Sequence, residues 1–350
     1  MKKIYRAAVI GCGRMGVTID DEMQARAGKN PWFPHAHGAA VDVCERTELV
    51  AVADVVKEKT EAAGERFGPL NCYEDYREMI EKEALDIVCI ATRPATHADA
   101  AVFAAEHGVK GIFCEKPLCC SMVEADAMAA AITKHGVKFN YGAQRRYVPM
   151  YRKLRELVED GAIGTPIGVI AAQGTTAALW GLTHGSDMLS FLAGDQKIDY
   201  VQGTAIYDED DLADNLLKDD PGIAAGYVRF ADGLHGYFTA GTGVEFEICG
   251  SGGKLRSYND GMYCSLRKLT EGKRLDEVPF PDVPRESGSL NAIKDLVEAI
   301  DTGRESKGPI DVAARSQEML MGIVESHRLG GRRVALPMEN RALTISRKGW

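Results

Sequence analysis

The chain has 350 residues, more than one hydrophobic core usually supports, so two domains are expected. Its formal charge of −9, from 42 basic and 51 acidic residues without a basic tract, argues against a nucleic-acid partner. No apolar run approaches the length of a membrane span. Because Met1-Lys2-Lys3 precedes a strand pattern rather than a signal-peptide core, we expect a cytoplasmic protein with no membrane partner.

The first predicted element is a buried strand over Ile4–Ile10 that leads directly into a glycine-rich turn. The turn has the GxGxxG spacing and consists of Gly11, Cys12, Gly13, Arg14, Met15 and Gly16. In this spacing the first glycine allows a tight turn, the second lets the backbone approach a pyrophosphate, and the third lets a helix pack closely on the strand. The pattern predicts a dinucleotide site at the N-terminus of the following helix.

The second predicted strand, Leu49–Ala53, ends at an acidic residue, Asp54. A carboxylate at this position accepts hydrogen bonds from the adenosine ribose of NAD and repels the 2′-phosphate of NADP. Val55 and Val56 offer no basic partner to that phosphate, whereas Lys57 is near enough to keep NADP open. We therefore expect NAD as the cofactor, with NADP less favoured.

The distance from Gly16 to Asp54 is 54 − 16 = 38 residues, against about 20 in the usual motif. The surplus lies in Thr18–Pro34, which does not read as one uninterrupted helix. We interpret this segment as an excursion near the cofactor mouth, acting either as a lid or as a surface insertion without a role. His35 and His37 lack a partner at metal-ligand spacing, so we interpret them as packing or hydrogen-bonding groups and expect no metal.

Three further strands alternate with helices in the first part of the chain. They are predicted at Asp86–Ala91, Gly111–Cys114 and Val137–Tyr141, and this alternation predicts a doubly wound parallel sheet. The strand at Gly111–Cys114 runs directly into Glu115-Lys116-Pro117. Ligands of open α/β sheets bind at the carboxyl ends of the strands, and a charged pair there is costly to bury unless it is paired or functional. Lys116 is therefore a candidate functional residue.

The pattern changes after a helical segment at Tyr151–Asp160. Strand-like runs with short turns predict an antiparallel meander at Ile198–Tyr207, Gly222–Phe230, Leu234–Ala240, Val244–Cys249 and Tyr263–Leu269. Two helices are predicted near Leu290–Asp301 and Val312–Leu329. We expect residues 1–141 to form a Rossmann domain and residues 142–350 an α+β domain on an open, mainly antiparallel sheet, giving an α/β protein overall. One face of that sheet is available for a homodimer or homotetramer.

A polar, glycine-flanked segment lies between these regions. Trp180–Asp187 opens a helical stretch that continues to Leu192. His184 and Asp187 are three residues apart and would share one helix face. A lone histidine more often has a structural role, but the acid beside His184 favours acid/base catalysis.

Four motifs occur in a fixed order along the chain: Gly11–Gly16, Ala91–His97, Glu115-Lys116-Pro117 and His184-x-x-Asp187. Together they resemble those of the glucose-fructose oxidoreductase/inositol dehydrogenase/MocA family. The similarity extends to the C-terminal Glu325–Pro337, so the resemblance covers nearly the whole chain. Glu-Lys-Pro is the most specific of these motifs, whereas the glycine turn is common to many enzymes.

The resemblance implies an N-terminal Rossmann domain, a C-terminal domain used in oligomerisation, and NAD(P)-dependent oxidation of a sugar or cyclitol hydroxyl. It implies that Lys116 orients the substrate hydroxyl and the nicotinamide, and that His184 accepts the proton. We expect Asp187 to support His184. The resemblance also implies that four further residues contact the cofactor: Thr92, Pro94, His97 and Glu115. It implies that Arg146, of the Arg145-Arg146 pair, contacts the substrate. A surface pair is the alternative for these arginines.

One position departs from the family pattern. Many members carry aspartate four residues before the histidine, where this chain has Trp180. An indole offers a flat apolar face to the C–H side of a pyranose or to an aromatic aglycone. The alternative interpretation is a tryptophan in the core.

Two other functions remain open from the sequence. One is an enzyme that retains NAD, oxidises a sugar hydroxyl transiently, eliminates a neighbouring group and returns the hydride. The other is a non-catalytic dinucleotide-binding sensor, for which Trp180 is the supporting feature and against which the presence of both Lys116 and His184 argues.

Overall fold

The structure is a computed structural model that describes residues 2–26, 32–271 and 273–347. The strands in chain order are β1 Tyr5–Ile10, β2 Thr47–Ala53, β3 Asn71–Tyr73, β4 Ile87–Ile90, β5 Gly111–Cys114, β6 Lys138–Tyr141, β7 Pro166–Gln173, β8 Ile198–Ile206, β9 Leu212–Ala213, β10 Leu216–Leu217, β11 Gly222–Phe230, β12 His235–Thr239, β13 Val244–Gly250, β14 Gly253–Tyr258, β15 Tyr263–Leu269, β16 Leu275–Val278, β17 Val334–Ala335 and β18 Thr344–Ile345. The helices are α1 Ile19–Ala25, α2 His37–Asp42, α3 Lys57–Phe67, α4 Tyr76–Lys82, α5 His97–Glu106, α6 Met122–His135, α7 Pro149–Glu159, α8 Thr183–Leu192, α9 Gly288–Thr302 and α10 Ile310–Arg328.

The chain folds into two compact units. The first contains the described residues up to Tyr147 together with Glu286–Ala313, and the second contains Val148–Arg285 and the described residues from Ala314 onwards. The sequence predicts two contiguous domains divided at residue 141. The structure differs because α9 returns to the first unit from a distant part of the chain, a long-range packing contact that local sequence patterns do not reveal.

The first unit contains a six-stranded parallel sheet with the order β3-β2-β1-β4-β5-β6. The central strands β4 and β5 are buried along their whole length, as expected for strands covered by helices on both faces. This confirms the predicted doubly wound sheet. Helix α6 begins with a capping box: the Ser121 side chain accepts from the Glu124 N–H, and the Glu124 carboxylate accepts from the Ser121 N–H.

Helix α9 packs against the start of β5. A Cβ atom on Gly111 would lie 2.9 Å from Ile300 and 3.0 Å from Leu296, so glycine permits this close approach. On the neighbouring strand, the Asn140 side-chain amide donates to the Ala292 carbonyl at 2.8 Å. These contacts make α9 part of the first hydrophobic core.

The predicted excursion after the glycine turn divides the first crossover into two helices. A π-helical turn at Arg14–Thr18 leads into α1, and α2 begins at His37. The buried Asp20 carboxylate accepts from the His35 N–H at 2.7 Å and from the Ala36 N–H at 3.3 Å. This confirms that Thr18–Pro34 is not one uninterrupted helix. Of that segment, residues 27–31 lie outside the described residues.

The second unit is built on a nine-stranded sheet with the order β16-β15-β14-β13-β7-β12-β11-β8-β17. Its neighbours pair antiparallel except β7 and β12, which pair in parallel. This confirms the predicted open, mainly antiparallel sheet. No helix in the described part of the chain combines the length and the apolar character needed to cross a membrane.

Candidate active site

The three motif glycines have different surroundings. Gly11 has a φ of +94°, and a Cβ there would lie 2.7 Å from the Ala91 carbonyl oxygen. A Cβ on Gly16 would lie 1.8 Å from the Gly11 oxygen, whereas a Cβ on Gly13 would meet no atom within 4 Å. The chain itself therefore requires the first and third glycines, and the second borders open space. This arrangement fits a pyrophosphate approaching the backbone at Gly13.

The residues between the last two glycines face the start of the crossover. Arg14 is exposed, and its Nε lies 2.5 Å from the Glu22 carboxylate of α1. Met15 is half-buried. Their predicted contacts with a cofactor stay predictions.

Asp54 lies at the end of β2 and connects that strand to the glycine turn. Its Oδ2 accepts from the Cys12 N–H at 2.9 Å, and its Oδ1 accepts from the Val56 N–H at 3.0 Å. A carboxylate has about four lone-pair sites, so capacity for ribose hydroxyls remains. The lysine near this carboxylate is Lys59, with its Nζ 3.9 Å from Oδ1, while Lys57 pairs with Glu61. Lys59 could not be recognised from the sequence pattern, because its approach to Asp54 depends on the first turn of α3.

The loop after β4 is connected to the turn after β5 through a buried histidine. The Thr96 hydroxyl donates to the Thr92 hydroxyl at 2.7 Å, beside a 3₁₀ turn that begins at Pro94. His97 Nε2 lies 3.1 Å from the Thr92 carbonyl oxygen, and its Nδ1 lies 2.9 Å from the Pro117 carbonyl oxygen. Complete burial lowers the pKa of His97. These contacts favour a role for His97 in holding the two loops, and its predicted contact with the cofactor stays a prediction.

Glu115 turns its side chain into the protein at the end of β5. One carboxylate oxygen lies 3.0 Å from His37 Nε2, and the other accepts from the Lys116 N–H at 3.1 Å. Burial acts to raise the pKa of Glu115, but the His37 hydrogen bond and the charges of His37 and Lys116 hold it below its usual value. The predicted hydrogen-bonding role of His37 is confirmed. Lys116 is half-buried and joins Pro117 through a cis peptide bond.

Arg146 is fully buried near the end of the first unit. Its Nη1 donates to the Lys307 carbonyl at 2.7 Å. The alternative of a surface pair is therefore wrong for Arg146, although Arg145 is half-buried. A contact between Arg146 and a substrate stays a prediction. In the described ranges, no three histidine, cysteine or carboxylate side chains are grouped so that they could hold a metal ion.

His184 lies in the first turn of α8 in the second unit. It is half-buried, and Asp187, three residues later on the same helix, is fully buried. Gly185 permits the close approach of β7, because a Cβ there would lie 2.4 Å from the Gln173 side-chain oxygen. The predicted spacing on one helix is present, and the catalytic roles of both residues stay predictions.

Trp180 lies on the turn before α8 and is 38% exposed, so the interpretation as a core residue is wrong. The Arg347 guanidinium carbon lies 5.1 Å from the centroid of its ring. The Asp220 carboxylate accepts from the Leu179 N–H at 2.9 Å and from the Trp180 N–H at 2.7 Å. Burial raises the pKa of Asp220 to about 6. Asp220 could not be predicted as a partner of this turn, because it lies 40 residues from Trp180 in the sequence.

Comparison with known sequences identifies relatives of the first unit. Residues 5–143 match the profile of a family described as an oxidoreductase family with an NAD-binding Rossmann fold. The chain is 33% identical to the D-apiose dehydrogenase of Paraburkholderia graminis over 164 residues, which are 47% of this chain and 39% of that protein. It is also 33% identical to the NAD⁺-dependent scyllo-inositol 2-dehydrogenase of Bacillus subtilis over 167 residues, 48% of this chain and 44% of that one. The match thus spans less than half the length of these relatives.

Solved structures resemble nearly the whole chain. Levoglucosan dehydrogenase in complex with NADH and levoglucosan has a TM-score of 0.76 at 20% identity, covering 96% of this chain and 100% of that chain. The aldose-aldose oxidoreductase of Caulobacter crescentus, solved with glycerol, has a TM-score of 0.75 at 21% identity with the same coverage. At this identity the likeness shows the fold.

Proposed function

We propose that the protein is an NAD-dependent dehydrogenase, because residues 5–143 match the profile of an oxidoreductase family with an NAD-binding Rossmann fold. It would transfer a hydride between the nicotinamide and a hydroxyl or keto carbon of a sugar, sugar derivative or cyclitol. The observation that carries the proposal is the arrangement at one edge of the parallel sheet. Neighbouring strands β1, β4 and β5 end there in the glycine turn, the Thr92 loop and Lys116. This is the edge where open α/β sheets bind ligands.

The surroundings of the glycine turn fit a dinucleotide. The open space at Gly13 would admit the pyrophosphate, and the Asp54 carboxylate would accept hydrogen bonds from the adenosine ribose. NAD is favoured over NADP because a carboxylate at that position repels a 2′-phosphate, although Lys59 partly offsets its charge. When bound, NAD⁺ supplies the acceptor for the hydride.

Oxidation of a secondary alcohol also requires the hydroxyl proton to be removed. We assign this role to His184, since the neutral imidazole of histidine is the side-chain base most commonly available near neutral pH. Lys116 would orient and polarise the hydroxyl, because a lysine accepts a proton at neutral pH only when its pKa is strongly depressed. Asp187 would support the helix and the imidazole, and Trp180 and Arg146 would contact the substrate.

The names of the relatives support a carbohydrate-like substrate. D-Apiose dehydrogenase and scyllo-inositol 2-dehydrogenase are named for oxidising a sugar and a cyclitol. Exposed aromatic side chains on one face of the second sheet support a homo-oligomer; they are Tyr237 and Tyr263, which are 39% and 53% exposed.

A substrate screen tests the proposal. Polyols, aldoses, sugar phosphates and glycosides are incubated with NAD⁺, and both NADH absorbance and product masses are recorded. We expect oxidised product and NADH in equal amounts. Product without NADH would instead favour the enzyme that retains NAD, and cofactor binding without any product would favour the sensor.

Substitution of the two proposed catalytic residues then tests their roles. Lys116→Ala and His184→Ala should each lower kcat by roughly 100- to 10 000-fold, the range of a lost acid/base group, while NADH binding is largely kept. Lys110→Ala is the control. Lys110 is exposed just before β5, at the end of that strand opposite to Lys116, and the variant should keep the parent kcat. A His184→Ala variant with near-parent kcat would show that another group, such as Lys116, is the base.

A further inference from the structure

The buried histidine at the start of α2 has no part in the proposed chemistry, yet it contacts the segment that carries Lys116. His37 is fully buried, and its Nε2 lies 3.0 Å from Glu115 Oε1. Its ring stacks on Phe113 of β5, with the centroids 4.2 Å apart and the planes at 19°. The hydrogen bond joins residues 78 positions apart. A specific long-range contact therefore fixes the orientation of the Glu115 side chain.

The ionisation of the pair fixes which atom is the donor. Glu115 is a carboxylate, because its hydrogen bond and neighbouring charges outweigh the effect of burial and lower its pKa. The hydrogen between the two side chains therefore belongs to His37 Nε2. The other ring nitrogen, Nδ1, is buried with no hydrogen-bond partner in the described ranges.

The remaining titratable groups around Glu115 do not replace His37 as the donor. Lys116 provides a positive charge and a backbone N–H. His97 feels the Glu115 charge, but burial lowers its pKa and its ring nitrogens face backbone carbonyls. Burial also raises the pKa of the Cys114 thiol well above its usual value, so this thiol stays neutral. His37 thus supplies the side-chain hydrogen bond that the carboxylate receives.

The carboxylate passes this constraint to the next residue. Glu115 Oε2 accepts from the Lys116 N–H at 3.1 Å, and the Glu115 N–H donates to the Ile90 carbonyl at 2.8 Å. The backbone that leads to Lys116 is therefore held at two points. Strand β4 binds the Glu115 N–H, and the Glu115 carboxylate binds the Lys116 N–H.

Gly38, which follows His37 in α2, packs on the glycine turn. A Cβ on Gly38 would lie 3.1 Å from the Gly16 carbonyl oxygen, so the first turn of α2 packs directly on the motif. We propose that His37 is a positioning residue: by holding the Glu115 carboxylate it orients Lys116 relative to the glycine turn. This inference rests on the proposed function, in which Lys116 acts on the substrate hydroxyl.

Two substitutions separate the hydrogen bond from the packing. His37→Gln places an amide N–H near the position of Nε2, whereas His37→Phe keeps a ring on Phe113 and removes the donor. In His37→Phe the buried carboxylate loses its donor and protonates more readily, so kcat should fall about 10-fold and rise with pH. The KM of the substrate and the Kd of NADH should stay within about 2-fold of the parent values, because His37 is fully buried and its substitution leaves the glycine turn and Asp54 unchanged. His37→Gln should keep near-parent kcat.

A second readout needs no turnover. The rate at which an acetylating reagent modifies Lys116 is followed against pH by peptide mass spectrometry. We expect the profile of His37→Phe to differ from that of the parent, and that of His37→Gln to match it. Glu115→Gln should reproduce the kinetic loss of His37→Phe and provides a second route if His37→Phe folds poorly.

Two results would overturn the inference. One is a His37→Phe variant with the parent's kcat and Lys116 profile, and the other is an equal loss in His37→Gln and His37→Phe. If the Lys116 profiles are as expected but the protein oxidises no carbohydrate, the proposed function is rejected. The hydrogen bonds from His37 to Glu115 and from Glu115 to the Lys116 N–H are then still established as the contacts that position Lys116.

Discussion

Asp54 combines an observed contact with a proposed role at the end of β2. Its Oδ2 holds the Cys12 N–H of the glycine turn, and in the proposed function its negative charge disfavours a 2′-phosphate. A substitution that removes the whole carboxylate removes both the hydrogen bond to the Cys12 N–H and the negative charge. Its effect on cofactor preference could not be separated from its effect on the glycine turn. Asparagine provides the useful comparison because it keeps an acceptor oxygen without the charge.

For the cofactor we predict that the parent binds NADH more tightly than NADPH. Asp54→Ala and Asp54→Asn should each narrow the ratio of the two Kd values by about 10-fold, the effect of losing one charged hydrogen bond. Asp54→Ala should also lower Tm more than Asp54→Asn does, since the asparagine amide keeps one acceptor oxygen for the Cys12 or the Val56 N–H and alanine keeps none. Titration of intrinsic fluorescence with both cofactors measures the ratio. Equal affinities in the parent protein would refute the assignment of Asp54.

The turn before α8 shows how a carboxylate can fix an element from a distance. Asp220 lies just before β11 and accepts from two successive N–H groups, those of Leu179 and Trp180. These bonds satisfy amides at the start of the segment that presents His184. The same burial that makes the bonds effective raises the pKa of the acid to about 6.

This raised pKa predicts the pH dependence of stability. Between about pH 4 and pH 6 the unfolded chain has lost the Asp220 proton while the native protein still holds it, so stability should fall as pH rises through this window. Asp220→Asn cannot ionise, and its Tm should lack this fall even if it is lower overall. Asp210→Asn, at an exposed position earlier in the same unit, is the control and should follow the parent. The prediction would be contradicted if the difference in Tm between the parent and Asp220→Asn stayed constant from pH 4 to pH 7.

Elements with a strong local pattern were predictable from the sequence. The strand before Gly11, the capping box at Ser121 and the spacing of His184 and Asp187 all depend on nearby residues, and the structure contains them. Strand β7 was missed because its pairing with β12 and β13 joins distant segments. The contacts of His37 with Glu115 and of Asp220 with Trp180 are likewise long-range, so the motifs named the candidate residues without their partners.

At the scale of the whole molecule, the candidate residues are divided between the two units. The first carries the glycine turn, Asp54 and Lys116 at one edge of its parallel sheet, and the second carries His184 on α8. Helix α9 belongs to the first unit although it follows the whole antiparallel meander in the chain. A variant that ends before α9 would therefore remove part of the first core as well as the C-terminal segment.

The central claim is that the protein moves a hydride from a carbohydrate-like alcohol to NAD⁺. The most direct measurement uses a substrate found in the screen, deuterated at the carbon that is oxidised, and follows the isotope by mass spectrometry of the released cofactor. The account predicts one deuterium in NADH for each oxidised product, and loss of this transfer in Lys116→Ala and His184→Ala. Product formed with no deuterium in the nicotinamide of NADH would contradict it.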